Sequence, residues 1–261
     1  MLKKFFADFK KYFKYTVEAA KASLMSEVAN SYLNWIWWVL QPICFTFIFA
    51  FIFGAIFHTK EEYFIPFIVL GVAVWDFFNG MMKNSVRIIR TNKSIISKVY
   101  LPKFVLILVR IGVNGFKMII SLMIAVVAMI ISGVKVSWRL FYIIPILIIF
   151  MLLCFALGCF LMHFGVYVAD LENIVDIVLR LVFYITGVFY SLTRRIPEPW
   201  GKYLTYCNPV AYIADALRKV MLYRQTPNLK VMALWFAISL ILSICGIALV
   251  YKNENSYVKS I

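Results

Sequence analysis

Few side chains in this sequence are able to do chemistry, and their spacing argues against most of it. Cys44, Cys154, Cys159, Cys207 and Cys245 form no C-x-x-C pair, and four of the five lie in apolar runs, where a thiol behaves as a small hydrophobe. With His58 and His163 the only histidines, neither a zinc cluster nor a disulfide framework is expected. No G-x-x-x-x-G-K-[ST], G-x-G-x-x-G or G-x-S-x-G run occurs, so the chain has no phosphate loop and no nucleophile elbow. The groups that stand out are charges inside apolar stretches: Asp76, Lys117, and the pair Asp176 and Arg180. Charges so placed are functional suspects when the stretch crosses a membrane. Lys117 can extend its head toward the membrane surface, whereas Asp76 has no such escape and calls for a polar partner, Lys117 or Asn79. Asp176 and Arg180 are four apart, which predicts a local ion pair on one helix face.

The elements that hold these residues are strongly apolar. Of 261 residues, 64% are hydrophobic and 15% charged, and the mean hydropathy is +0.88. A soluble domain is nearer half apolar and a quarter charged. At about 20 residues per crossing there is room for roughly six transmembrane helices and little soluble mass. The expected fold class is an all-α integral membrane protein with spans at about 34–57, 64–82, 104–132, 140–164, 174–190 and 230–251. Residues 1–28 form a separate element. Leu2, Phe5, Phe6, Phe9, Tyr12, Phe13, Val17, Ala20 and Leu24 recur mostly every three or four residues, with lysines on the other faces. That pattern predicts an amphipathic helix lying in the membrane interface, not a cleavable signal peptide.

Lys and Arg number 27 against 12 Asp and Glu, a net charge of +15. The bases flank the spans, which points to membrane orientation and anionic lipid, not nucleic acid. Six lysines in the first helix, six bases from Lys83 to Lys103, and Lys252 and Lys259 near the end outweigh Lys60, Lys135 and Arg139. Both termini are therefore expected on the cytoplasmic side. The outer stretch from Ser191 to Leu229 departs from this rule with Arg194, Arg195, Lys202, Arg218, Lys219 and Arg224. In it, Asn208-Pro209 reads as a helix start, Asn as cap and Pro in the first turn, followed by an apolar stripe through Val210, Ile213, Ala214, Leu217, Val220 and Met221. A helix of about 14 residues cannot cross a bilayer, so it is expected to re-enter or to lie at the outer surface. On the inner side, residues 87–103 (RIIRTNKSIISKVYLPK) are basic and end near Pro102. Asn92 is expected to cap a short helix through Val99 carrying Ile95, Ile96 and Val99 on one side, a form suited to docking in a groove on a soluble partner.

Landmarks along nearly the whole chain, in order, resemble the permease subunits of type-2 ABC transporters that export cell-surface polysaccharides such as O-antigen, capsule and teichoic acid. Ser31-Tyr32-Leu33-Asn34-Trp35-Ile36-Trp37-Trp38-Val39-Leu40-Gln41-Pro42 is similar to that family's S-x-L-G-x-L-W-x-x-L-x-P, and Gly71 to Trp75 to its G-L-x-x-W. Asn92 to Pro102 resembles N-x-x-L-I-x-K-x-x-x-P, Asp170-Leu171-Glu172 its acidic turn, and Pro197 to Trp200, then Asn208-Pro209-Val210 and Arg218, its I-P…N-P…R series. Two departures are Asn34, where the family usually has Gly, and Gly187, where it commonly has Pro.

The resemblance implies that two copies of this chain pair with two copies of an ATP-binding subunit. ATP and magnesium would sit on that partner, while this chain binds no cofactor or metal directly and is no enzyme. It implies a permease domain over 29–261 in the bacterial cytoplasmic membrane, moving a lipid-linked polysaccharide between the two copies. Residues 91–102 would couple to the ATPase through Asn92, Lys93, Ile95, Ile96, Lys98 and Pro102, with the first helix assisting. Residues 197–223 would form outer gate helices carrying Pro197, Trp200, Asn208, Pro209 and Arg218. Sugars stack their C–H faces on aromatic rings, which makes Trp35, Trp38, Phe45, Phe49, Trp75, Phe183, Tyr184, Phe189 and Tyr190 candidates to line the path. The competing role for each ring is the aromatic belt or contact with lipid. Arg87 and Arg90 are candidates to meet a lipid pyrophosphate at the inner entrance, against contact with headgroups or the ATPase. A type-2 permease for a drug, antibiotic or lipid is the neighbouring alternative. A proton-coupled carrier would work without an ATPase, and a lipid-modifying enzyme would turn over lipid without ATP.

Overall fold

The computed structural model describes residues 2–29, 31–56 and 61–259, and all regular structure among them is helical. The expected end of the first span at Phe57, and the polar residues His58, Thr59 and Lys60 after it, lie outside the described residues. In chain order the helices are α1 (Leu2–Val28), α2 (Trp37–Ala50), α3 (Phe64–Thr91), α4 (Lys93–Ile96), α5 (Phe104–Ile131) and α6 (Ile143–Tyr167). They continue as α7 (Leu171–Ile185), α8 (Leu192–Arg195), α9 (Trp200–Cys207), α10 (Pro209–Met221) and α11 (Leu229–Lys259). A tight turn at Asn34–Ile36 leads into α2, and a wider turn at Phe51–Ile56 prolongs it.

Among the described residues, five helical segments are long and apolar enough to cross a membrane: Asn34–Gly54, Phe64–Thr91, Phe104–Ile131, Trp138–Tyr167 and Leu229–Tyr257. Within the expected fifth span, 174–190, the helix stops at Ile185, closing a run of 15 residues that begins at Leu171. Gly187 takes φ +67°, a left-handed conformation that ends the helix and that proline is unable to adopt. Fifteen residues span about 22 Å, short of the ~30 Å hydrocarbon core. Asn34 takes φ +47°, which gives the glycine usual at that position a backbone reason, since Asn is one of the few other residues that tolerates it. The second span is longer than expected. Nothing between Met82 and Thr91 breaks a helix, so α3 carries Lys83, Arg87 and Arg90 on helical turns beyond the apolar stretch.

α3 is the central post. Within its most apolar stretch 72% of residues are buried, against 11% for the first span. Small residues let neighbouring helices approach it, as is usual where packing and not hydrophobicity drives association. At Gly165 on α6 a Cβ would overlap the Val86 carbonyl, so this crossing of α3 and α6 admits only glycine. The first span, peripheral and mostly uncovered, leaves its surface for lipid or another subunit.

α1 is one continuous helix, but its apolar positions divide. Phe5, Tyr12, Ala20 and Leu24 pack against the bundle, with Phe5 4.8 Å from Phe104 and Ala20 beside Val109 and Val113. Phe6, Phe9, Phe13 and Val17 remain exposed beside the lysines. Tyr251 donates to Asp8 at 2.7 Å and Tyr100 to Glu254 at 3.2 Å. The start of α1, the segment after α4 and the last turns of α11 therefore share one end of the bundle. Glu61, Arg194 and Tyr223 gather at the other.

Candidate functional site

The most extended side-chain assembly is a ladder of aromatic rings between the first span, α3 and α7. Phe45 and Phe49, one turn apart on α2, stack at 6.2 Å, and Phe49 lies face to face with Phe189 at 3.8 Å. Phe53 closes on Phe189 from the turn after α2 at 5.0 Å. Phe189 then meets Phe183 edge-on at 5.3 Å, and Phe183 meets Trp75 of α3 at 5.0 Å. Tyr184 flanks Phe183 at 5.4 Å, and the Tyr190 hydroxyl donates to the Tyr184 carbonyl at 2.7 Å. Phe189 at the centre is 5% exposed, while Tyr184 at the margin is 70% exposed. The bend after α7 makes this possible: with Gly187 left-handed, Phe189 turns back onto Phe183 instead of continuing a helix.

Most of the predicted rings meet here, but two do not. Trp38 packs edge-on against Phe116 of α5 at 5.5 Å, and Trp35 stands exposed before α2. Phe53 was missed, although its place four residues after Phe49 was a visible signal.

The charges below the ladder pair differently from expectation. Asp176 does not bond Arg180; its carboxylate faces Lys83 of α3 at 3.0 Å. Arg180 makes no hydrogen bond or ion pair among the described residues. Arg87 faces Glu172 at 3.4 Å, both exposed, and Arg90 is exposed at the end of α3. Lys117 bonds Glu27 at the end of α1 and does not reach Asp76, though all but Glu27 line one polar cleft with Gln41, Asn79 and Asn114.

At the end shared by α1 and α11, the expected cap is corrected. Asn92 makes no side-chain cap to α4; its amide donates to the Ile88 carbonyl at 2.7 Å and so closes α3. The helix that follows spans only Lys93–Ile96. Its expected apolar face splits: Ile96 is 5% exposed and belongs to the core, whereas Ile95 is 42% exposed, and Val99 and Lys98 also face outward. Lys93 is exposed and Pro102 buried. Lys103, buried beside Pro102, donates to the Leu101 carbonyl at 3.0 Å, and burial holds its ammonium below the usual lysine range against the pull of Glu254.

At the opposite end the expected helix start is present. The Asn208 side chain accepts from the N–H groups of Val210 at 3.0 Å and Ala211 at 3.3 Å, with Pro209 opening α10. Its amide also donates to Thr186 at 3.1 Å, tying α10 to the end of α7. Pro197 and Trp200 are exposed. Arg218 is 4% exposed. Its guanidinium donates to the carbonyls of Phe67 at 3.2 Å, Gly187 at 3.0 Å and Val188 at 2.6 Å, and lies 3.5 Å over the Phe67 ring. It fastens the bend after α7 to α3 and α10.

The family described as ABC-2 type transporter matches residues 18–222. The O-antigen export system permease protein RfbA of Klebsiella pneumoniae is 24% identical over 229 residues, 87% of either chain. The protein of the same name from Myxococcus xanthus is 20% identical over 245 residues, 94% of either chain.

Proposed function

The chain belongs to the ABC-2 type transporter family, and from that premise we propose that it is the membrane subunit of an ATP-driven exporter of a lipid-linked polysaccharide. The observation that carries this reading is the match, over 87% and 94% of the chain, to permeases named for O-antigen export. The aromatic ladder gives it a physical basis. At its exposed margins, Phe45 and Tyr184, ring faces offer contact area to sugar C–H groups without fixed hydrogen bonds, so a polymer can slide past instead of lodging in one pocket.

The chain has no phosphate loop, so ATP hydrolysis belongs to a separate subunit. Two copies of each subunit form the working assembly, and the polymer passes between the two membrane subunits. The little-buried first span, carrying Phe45 and Phe49, suits that pairing. α7 and the bend after it serve as the sixth crossing. Asp176 meets Lys83 near the inner end of α3, and Gly187 and Val188 meet Arg218 against Phe67 near its outer end. Those levels lie about 24 Å apart along a helix.

In this reading α1 lies in the inner interface of the bacterial cytoplasmic membrane, and both termini are cytoplasmic. The segment 91–102 with Ile95 outward contacts the ATPase, Arg87 and Arg90 face headgroups there, and 197–223 gates the outer side. The test is reconstitution with the ATP-binding subunit in proteoliposomes. ATP-dependent transfer of a labelled lipid-linked glycan is expected; transfer without ATP, or turnover of lipid by this chain alone, rejects the reading.

A further inference from the structure

We propose that the cavity at the inner foot of the aromatic ladder is a subsite for an anionic sugar, a pyranose ring bearing a phosphate or carboxylate group. The proposal rests on the polysaccharide-export reading and adds the charge that the substrate carries at this point. The cavity holds about 320 Å³, the low end of small-ligand sites and room for one sugar ring with its acidic group. Trp75, Phe183 and Tyr184 are the aromatic part of its lining, with Trp75 and Phe183 5.0 Å apart and edge-on. Lys83, Asp176 and Arg180 are the charged part, further along the same two helices, α3 and α7.

The charges are unbalanced. Asp176 holds Lys83 at 3.0 Å, so these two neutralise each other, and Arg180 has no hydrogen bond or ion pair among the described residues. Two cations against one carboxylate leave the lining with one positive charge in excess. An uncompensated cation on a membrane helix calls for a partner, and a guanidinium fork matches the paired oxygens of phosphate or carboxylate. The aromatic part of the lining, with Tyr184 70% exposed, is left uncovered by a bare phosphate headgroup and is covered by a sugar ring. A phosphate could come from the link between glycan and lipid, a carboxylate from an acidic sugar in the chain; the shared chemistry is an anionic oxygen pair beside a pyranose ring.

The test uses the full chain in nanodiscs of zwitterionic lipid and four probes: dodecyl phosphoryl-glucose, dodecyl glucuronide, dodecyl glucoside and dodecyl phosphate. Affinity is read by quenching of tryptophan fluorescence. One or both anionic sugars are expected to bind about tenfold or more tighter than the glucoside and dodecyl phosphate, in line with a charge-assisted pair. Whichever binds tighter identifies the source of the anion. Arg180→Gln should abolish the preference, and Asp176→Asn, which releases Lys83, should increase it severalfold. A merely structural role for these residues would weaken all four probes alike under both substitutions, and that result overturns the proposal. So does dodecyl phosphate binding as tightly as the anionic sugars, which would mark a lipid-headgroup site. ATP-driven glycan transfer with no anion preference rejects the subsite alone; a clear preference without transfer rejects the export reading alone.

Discussion

Replacing Arg218 should destabilise the fold substantially, and the structure sets the size. Its guanidinium serves three carbonyls, of Phe67, Gly187 and Val188. Phe67 lies within α3, where the helix supplies a second donor. Gly187 and Val188 lie in the non-helical bend, so Arg218→Met strips both of their donor at once. A buried carbonyl left unsatisfied costs about 1–3 kcal/mol. Two of them, less the relief of no longer burying a charge, give a loss of about 3 kcal/mol, in the range for breaking a buried charged pair from one side. Arg218→Lys should recover little of it, because an ammonium does not span three acceptors with a planar fork. Gly71→Ala should reproduce much of the loss, since a Cβ there meets the Arg218 head and the Val188 carbonyl. Reversible unfolding in mixed detergent micelles measures the difference directly. An Arg218→Met chain within about 1 kcal/mol of the parent would refute the clamp.

Further outcomes follow from the same contacts. Ile95→Asp should leave stability nearly unchanged, as at other exposed sites, while abolishing stimulation of the partner's ATPase; Ile96→Asp should destabilise the fold itself, because it buries a carboxylate. Thermal unfolding beside ATPase assays separates the two. Phe189→Ala should cost about 3–5 kcal/mol, as for other buried aromatics, whereas Phe189→Leu should retain the fold and slow glycan transfer by breaking the run of rings. Burial lowers the pKa of Lys103, so the charged form penalises the folded state. That penalty is complete below the lowered pKa and fades as pH rises from there toward the free lysine value. Lys103→Met should therefore gain most over the parent at neutral pH, the gap narrowing in alkaline buffer; a pH-independent gap in unfolding free energy would count against this account.

Hydropathy was enough to find three of the spans within a few residues at both ends, because burial in lipid is a property of about twenty consecutive side chains. The Asn208 cap was equally legible, since donor and acceptor lie two or three residues apart. The same reliance on near neighbours misread Asp176. Four residues to Arg180 looked decisive, yet its partner Lys83 comes from α3, far along the chain. Asn92 carried the right residue type for a cap but served the helix before it instead of the one after. In the fifth span the apolar run continues beyond Gly187 while the helix does not, because the left-handed backbone there is not written in hydropathy.

Composition and local pattern were thus sufficient for a basic, multi-span helical chain lacking its own phosphate loop, and for a list of aromatic candidates. Which rings touch, that Asp176 faces Lys83 and not Arg180, and why Arg218 is buried depended on the packing of α2, α3, α7 and α10 against one another. Hydrophobicity is summed along the chain, residue by residue, whereas a stacked ring, an ion pair or a guanidinium clamp is settled by whichever distant side chain the fold brings within a few ångströms.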